Sequence, residues 1–307
     1  MIHVIINTSS GSEKGCDIEK IIKNYLSDAG EEFRIYRTEK AGDIADFAGS
    51  ITENTDKMTH IMLAGGDGSI NELLSGIEDT KKTVLSIIPT GSGNDFARAV
   101  KIPHNIRLAL DIAVRRKKTK AIDLGEVIYD NGERRKFLIS AGIGFDAAVC
   151  EEAMNSETKK KLNKIGLGRL SYGVIAIKQI FGALRPDGYI SFDGGEKIGL
   201  KRFLLAAFMN EPFEGGGFLF GPHASHSDGK LDVCLVDRVS GLKFFMALPF
   251  GFFGKHYMFK NVNEHRGEKI SIHLNYPLWV HTDGEVSRQA EDLEIRVLKS
   301  AINITLP

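Results

Sequence analysis

Apolar positions along the first 122 residues alternate between two periods. The run "IHVIIN" is short and almost wholly apolar, Ile18, Ile21, Ile22, Tyr25 and Leu26 then recur at helical spacing, and "FRIYRT" returns to a strand. Ile44, Phe47, Ala48 and Ile51 mark a second helix face. "HIMLAGG" then leads into a helix predicted from about Ser69 to Gly76, "TVLSIIPT" leads into one from about Gly93, and another runs from Ile106 towards Arg115. Strands that alternate with helices, each strand apolar nearly throughout, predict a parallel sheet covered on both faces. Such sheets bind ligands beyond the carboxyl ends of their strands. The three glycine-bearing turns "NTSSGSEKG", "GGDGS" and "PTGSGND" all follow strands, so they can converge on one edge.

From about residue 123 the rhythm changes. "AIDLGEVIYDNGERRKFLISAGIG" holds two strand runs joined by Asn131-Gly132, a strong hairpin signal. "GYISFDGGEKIGLKRFLLAAFMN", "GKLDVCLVD", "KISIHLNYP" and "DLEIRVLKSAINITLP" are again short strands bounded by Gly, Asp and Asn, with helical stretches near 146–183 and 240–253. The expected fold is α/β plus β. Residues 1–122 form an α/β domain with a mostly parallel sheet, and residues 123–307 a mostly antiparallel β domain with helical insertions. The final strand, about 290–307, is free to return to the first domain.

Composition narrows the function. The 307 residues carry 40 basic and 40 acidic side chains, and a zero net charge argues against a dedicated nucleic-acid binder. Cys16, Cys150 and Cys234 are odd in number and far apart, which indicates neither a disulfide framework nor a zinc site and fits a reducing cytosol. The N-terminus turns polar too early for a signal peptide. The longest greasy run, "FFMALPFGFFG", falls short of the roughly 20 residues that span a membrane, so any membrane contact is expected to be peripheral.

The chemistry centres on the glycine turns. A strand ending in Gly65-Gly66-Asp67-Gly68 and running straight into a helix places free N–H groups and the positive end of a helix dipole together, a ready anion site. Asp67 makes sense there if Mg²⁺ lies between it and a phosphate. The bland alternative is a plain turn, with Ser69 as N-cap and Glu72 completing a capping box. "IIPTGSGNDFARAV" is a second strand, glycine turn and helix start, again with an acid, Asp95. Capping by Asn94 and Asp95 explains this turn alone but not the pair. No P-loop or protein-kinase motif set is present.

These turns belong to a longer ordered series. "NTSSG" at Asn7 to Gly11, "GGDGSINE" at Gly65 to Glu72, "PTGSGNDFAR" at Pro89 to Arg98, "DLG" at Asp123, "SHSDGKLDV" around Asp228 and "HTDGEV" at Asp283 to Glu285 together resemble the diacylglycerol kinase catalytic family, and within it the soluble bacterial lipid kinases related to sphingosine and ceramide kinases. Thr8 stands where the pattern has proline, which predicts a freer first loop, and Ser69 and Ser92 replace threonines while keeping the hydroxyl.

The resemblance implies an ATP-binding α/β domain joined to a β-sandwich lipid-substrate domain, with the site in the cleft between them. It implies that ATP meets Asn7, Ser9, Ser10 and Gly11 in the first loop, together with Thr38. It implies further nucleotide contacts at Gly65, Gly66, Asp67, Gly68, Ser69, Asn71 and Glu72, and at Ser92 and Asn94. Asp67, Asp95 and Asp123 would organise water around the catalytic Mg²⁺, and Asp283, with Glu285 beside it, would be the general base for a lipid alcohol. Without the family, Asp283-Gly284 is a hairpin turn. A structural Mg²⁺ is implied at the Asp228 carboxylate and the backbone of Ser225 and Lys230; His223 and His226 lack a third partner for zinc.

Residues 242–260 carry seven aromatic side chains with Lys243, Lys255 and Lys260 among them, a stretch that fits either the core or an acyl chain at a bilayer surface. The basic runs "RRKKTK" at 115–120 and "KKKLNK" at 159–164 are either solvated helix ends or contacts to anionic lipid head groups. The expected protein is a cytoplasmic, ATP- and Mg²⁺-dependent lipid kinase in peripheral contact with an anionic membrane, without a nucleic-acid partner, and with a homodimer left open. The rivals are an NAD-kinase-like enzyme and a non-catalytic nucleotide- or lipid-binding regulator on the same fold.

Overall fold

The computed structural model describes residues 1–9, 15–53, 55, 57–115, 118–155 and 168–307. Four parallel strands open the chain: β1 (Ile2–Ile6), β2 (Phe33–Arg37), β3 (Thr59–Gly65) and β4 (Thr83–Pro89), in the spatial order β2-β1-β3-β4. Every residue of β3 and nearly every residue of β4 is buried, which is why these strands are apolar on both faces rather than alternating. Their connections are α1 (Gly15–Asp28), α2 (Asp43–Thr52) and α3 (Asp67–Gly76), followed by α4 (Asp95–Ala99) and α5 (Ile106–Arg115). α1 packs with α5 and α2 with α3, and Ile5, Ile22, Leu63, Leu74, Ile88 and Leu110 share one core.

The second half is antiparallel. β5 (Thr119–Tyr129) and β6 (Arg134–Phe137) form the hairpin at Asn131-Gly132. β7 (Ser140–Gly144), β10 (Leu205–Met209), β11 (Leu231–Val236) and β12 (Val262–Gly267) follow one another across the sheet, and β8 (Gly188–Phe192) and β9 (Ile198–Leu200) pair beside β13 (Lys269–Thr282). Among the described residues three helices are inserted: α6 (Phe145–Asn155), α7 (Gly168–Gly182) and α8 (Gly241–Gly251). The sandwich core of Phe137, Ile143, Phe208, Leu231, Ile272 and Ile295 is separate from the first.

The last strand, β14 (Glu285–Thr305), ties the halves together. It pairs with β13 and β5 along most of its length, then breaks register between Leu298 and Ile302, where Ser300 takes a φ of 48°, and finally runs parallel to β4 at Asn303 and Ile304. The bulge turns one strand from the sandwich into the parallel sheet.

β12, "VNEHRG", carried no strand signal because it is polar and lies at a sheet edge, where charges suit solvent and discourage further pairing. Gly125 is fixed by its neighbour: a Cβ there would lie 1.9 Å from the Phe137 ring across the β5–β6 pair. Gly125→Ala is therefore expected to cost about 1–3 kcal/mol by overpacking, read as a lower denaturation midpoint at unchanged slope. A midpoint equal to wild type contradicts the close packing.

Candidate active site

The carboxyl ends of β1, β3 and β4 lie side by side. The Asn7 N–H donates to the Ala64 carbonyl at 2.9 Å and the Thr90 N–H to that of Gly65 at 3.0 Å. Because β1 sits between β2 and β3, the chain leaves it in opposite directions here, the place where open α/β sheets form a crevice. The two glycine turns meet back to back: a Cβ on Gly66 would stand 2.9 Å from the Gly91 Cα, and one on Gly91 2.6 Å from the Gly66 Cα. No side chain fits between them. Asp67 reaches across, its Oδ2 accepting the Asp95 N–H at 2.9 Å and its Oδ1 the Phe96 N–H at 3.2 Å, so the acid of one turn caps the helix of the other. Asn7 donates from Nδ2 to the Ser69 hydroxyl at 2.8 Å.

In front of these turns lies a cleft of about 1400 Å³. Asn7, Ser9, Gly66, Asp67, Gly68, Ser69, Asn71, Glu72 and Ser92 line one side, and Arg134, Arg135, Lys136, Thr282 and Glu285 the other. Glu285 is exposed and stands over the first turn, its Oε1 3.1 Å from where a Cβ on Gly68 would be. Two carboxylates thus flank Gly68. Burial pushes the Asp67 pKa up against the pull of its two N–H donors, and the charges of Asp95 and Asp283 push it further. A half-buried carboxylate crowded by other acids is short of positive charge, which fits a divalent cation held by oxygen donors.

Several residues assigned to the site from the sequence turn inward instead. Both oxygens of Asp283 are taken: Oδ1 by the N–H groups of Ile139 and Ser140 at 2.8 and 3.1 Å, Oδ2 by Leu138 N–H and Asn71 Nδ2, each at 3.0 Å. Asp283 and Gly284 both have positive φ, 50° and 84°, as a two-residue hairpin turn requires. The Asp283 expected as the base therefore anchors four donors in this geometry, and of the Asp283–Glu285 pair it is Glu285 that lines the cleft. Asp95 is paired with Arg98 and accepts the Gly216 N–H at 2.7 Å, while Asp123 accepts the N–H groups of Ser300 and Gly229, each at 2.8 Å. Neither lines the cleft, and both hold backbone where their placement around a metal was expected.

Asn94, with φ 51°, closes its own turn on Gly91 through Oδ1 and Nδ2, and Gly65 is buried beneath Ser69. Glu72 lines the cleft yet spends Oε1 on the N–H groups of Gly42 and Ile44, capping α2 rather than its own helix. Thr38 is buried and takes the Thr8 N–H on its hydroxyl at 3.1 Å, while the Thr8 hydroxyl donates to the Thr38 carbonyl at 2.7 Å. The start of the first loop is therefore tethered where a freer one was expected. Ser10 and Gly11 lie outside the described residues, as does "KKKLNK"; "RRKKTK" is described except for 116–117.

The expected structural Mg²⁺ loop carries its own cation. Asp228 accepts the Lys230 N–H at 3.0 Å and pairs with Arg266, whose Nε also lies 2.9 Å from Asp232 Oδ1, and the Ser225 carbonyl accepts the Ser227 N–H at 2.7 Å. The Ser225, Asp228 and Lys230 set does not fit a metal in this geometry. His223 and His226 face different acids, Glu264 and Glu211. The basic cleft wall of Arg134, Arg135 and Lys136 escaped the sequence reading, although "ERRK" next to the hairpin signal was its trace. Lys136 donates to the carbonyls of Ile77 and Glu78, just past the C-terminus of α3, where a cation is favoured.

Comparison with known proteins bears on the family and the fold. Residues 1–127 match the family model of the diacylglycerol kinase catalytic domain, and residues 139–306 that of the YegS C-terminal NAD kinase β-sandwich-like domain. A diacylglycerol kinase of Mycobacterium tuberculosis is 32% identical over 263 residues, 85% of this chain and 80% of that protein. The crystal structure of a diacylglycerol kinase from Bacillus anthracis is similar with a TM-score of 0.73 at 20% identity, covering 100% of this chain and 96% of that one. Yeast NADH kinase complexed with NADH is a more distant fold relative, with a TM-score of 0.50 at 10% identity over 99% and 82% of the two chains.

Proposed function

The chain belongs to the diacylglycerol kinase catalytic-domain family and is a lipid kinase, and from that premise we propose that it transfers the γ-phosphoryl group of ATP, with Mg²⁺, to the hydroxyl of diacylglycerol or a similar lipid alcohol. The observation that carries this reading is the contact of Gly66 with Gly91, with Asp67 and Glu285 on either side of Gly68. The ATP phosphates lie at the N-terminus of α3, where side-chain-free backbone offers N–H groups. Asn7 holds the Ser69 hydroxyl at that spot, and the far wall carries Arg134 and Arg135, each paired with an acid of the same wall, Glu126 and Glu133. Asp67 would hold the Mg²⁺, whose chemistry is to neutralise charge on the phosphates. Glu285 takes the proton of the lipid hydroxyl, and in-line placement of the reacting oxygen does most of the rest.

The lipid is read from the aromatic stretch. Phe244 is buried against Phe145 and Tyr257 donates to the Phe220 carbonyl, whereas Leu242, Phe245, Met246, Phe250, Phe252 and Phe253 are exposed, Phe253 to 74%. Part of the stretch is core and the rest is an apolar face edged by the exposed Lys243, Lys255 and Lys260. No helix among the described residues is long and apolar enough to cross a membrane. An apolar surface with a basic edge suits an anionic bilayer, which delivers the acceptor. Phe252→Ser with Phe253→Ser is expected to weaken binding to anionic vesicles roughly tenfold or more in co-sedimentation, while leaving ATP affinity unchanged; undiminished vesicle binding contradicts this face.

The reaction itself is tested by offering labelled ATP, with and without Mg²⁺, to diacylglycerol, monoacylglycerol, sphingosine and ceramide in mixed micelles, with NAD in parallel. Mg²⁺-dependent label in a lipid supports the reading. Label in NAD alone moves the protein to the more distant relatives, and label nowhere despite ATP binding makes it a regulator.

A further inference from the structure

Beside the site, Asp146, Glu214 and His281 bring one donor atom each within 4.8 Å of one another, all buried. The set has the donor atoms of a metal centre, and its hydrogen bonds also fix where the imidazole stands. His281 Nδ1 accepts the Gly284 N–H at 3.2 Å. That nitrogen therefore keeps its lone pair, and in a neutral imidazole the hydrogen must sit on Nε2. Nε2 faces Asp146 Oδ2 at 3.3 Å and Glu214 Oε1 at 3.2 Å, two acceptors that suit a donor. Burial disfavours a charged imidazole while Glu214 and Asp146 raise its pKa to about 9, so the carboxylates draw a second proton to the ring and the Gly284 N–H against Nδ1 is what opposes it. A second proton, on Nδ1, would meet the Gly284 N–H head-on.

We propose that His281 is the positioning residue of the Asp283–Gly284 turn, holding the Gly284 N–H through Nδ1 and kept in the Nε2–H tautomer by Asp146 and Glu214, so that Glu285 is aimed into the cleft. The turn has two anchors: the Asp283 carboxylate on Leu138, Ile139 and Ser140, and the Gly284 N–H on His281. Glu285 follows the second anchor directly. The group also connects to the second glycine turn, because Glu214 opens the glycine loop whose Gly216 N–H binds Asp95. The space is full: a Cβ on Gly142 would lie 2.0 Å from Asp146 Oδ2 and 2.4 Å from His281 Nε2, so the imidazole has one place to stand. A displacement of about 1 Å at a reacting group can cost about 10²-fold in rate, which is the scale at stake in this turn.

The proposal rests on Glu285 as the base, and two amide substitutions separate its parts. His281→Asn places an oxygen near the Nδ1 position and keeps the bond to Gly284; His281→Gln places an amide near Nε2 and keeps only the bonds to the carboxylates. His281→Gln is expected to lose about 10–100-fold in kcat at unchanged KM for ATP, and His281→Asn to recover most of that loss. Equal falls in both variants, or wild-type kcat in both, overturn the proposal. The wild-type enzyme gives a second reading should either variant fail to fold. Long-range ¹H–¹⁵N correlation of histidine-labelled protein at neutral pH is expected to show His281 Nδ1 bare and Nε2 protonated, and a proton on Nδ1 overturns the assignment. Wild-type transfer by Glu285→Gln refutes the base role alone, and the tautomer still reports on the anchor.

Discussion

Glu285→Gln is expected to lower kcat by about 10²–10⁴-fold, the usual contribution of a general base, while the KM for ATP stays near wild type. Glutamine keeps the length and shape of the side chain and removes only its ability to take a proton. Glu285 is exposed in the cleft beside Gly68, so its loss leaves no buried group without a partner and the Tm should hold. Initial rates of label transfer to diacylglycerol, with ATP varied, measure both parameters. A kcat within a few-fold of wild type removes Glu285 from the chemistry; a raised KM with unchanged kcat makes it a binding group.

The second large effect is on stability. Asp283→Ala withdraws the acceptors of three backbone N–H groups and the Asn71 amide at once. Donors left without partners in this half-buried turn cost up to about 1–3 kcal/mol each, so a loss of about 3 kcal/mol is expected. At about 2.1 cal/mol/K per residue, a chain of 307 residues shifts by roughly 1.5 °C per kcal/mol, so the Tm should fall by about 5 °C. Asp283→Asn should fall by less, since one amide oxygen still accepts. Thermal melts of the two variants beside wild type check this. A native Tm for Asp283→Ala, together with lost transfer, returns the catalytic role to Asp283.

The glycine turns were legible because each places a strong local signal, strand then Gly then helix, and Asn7, Gly66, Asp67, Ser69 and Ser92 do open into one cleft. What the sequence could not separate was the two uses of an aspartate. Asp67, Asp95 and Asp283 sit beside glycine or at a helix start and Asp123 lies in β5, and a carboxylate in such a place can meet a ligand, accept backbone N–H groups or, as proposed for Asp67, do both. The partners that decide lie far along the chain: Gly216 for Asp95, Ser300 for Asp123, Leu138 to Ser140 for Asp283. The same distance hid Arg266 from Asp228 and Thr38 from Thr8. Helical spacing in the aromatic stretch was blurred because Phe244 turns to the core while its neighbour Phe245 turns to solvent. β14 was read as one final strand over about 290–307; its earlier start at Glu285 and its change of sheet depend on the hairpin at Asp283-Gly284 and on a bulge at Ser300 held by Asp123.

The central claim is that a lipid hydroxyl loses its proton to Glu285 and receives a phosphoryl group held between the two glycine turns. Single-turnover transfer from prebound, labelled ATP and Mg²⁺ to diacylglycerol, compared among wild type, Glu285→Gln and Asp283→Asn at equal nucleotide occupancy, tests it most directly. The account predicts Mg²⁺-dependent label in the lipid with wild type, a loss of about 10²-fold or more with Glu285→Gln, and a folded Asp283→Asn fraction that still transfers. Transfer by Glu285→Gln at the wild-type rate, with none by folded Asp283→Asn, contradicts it.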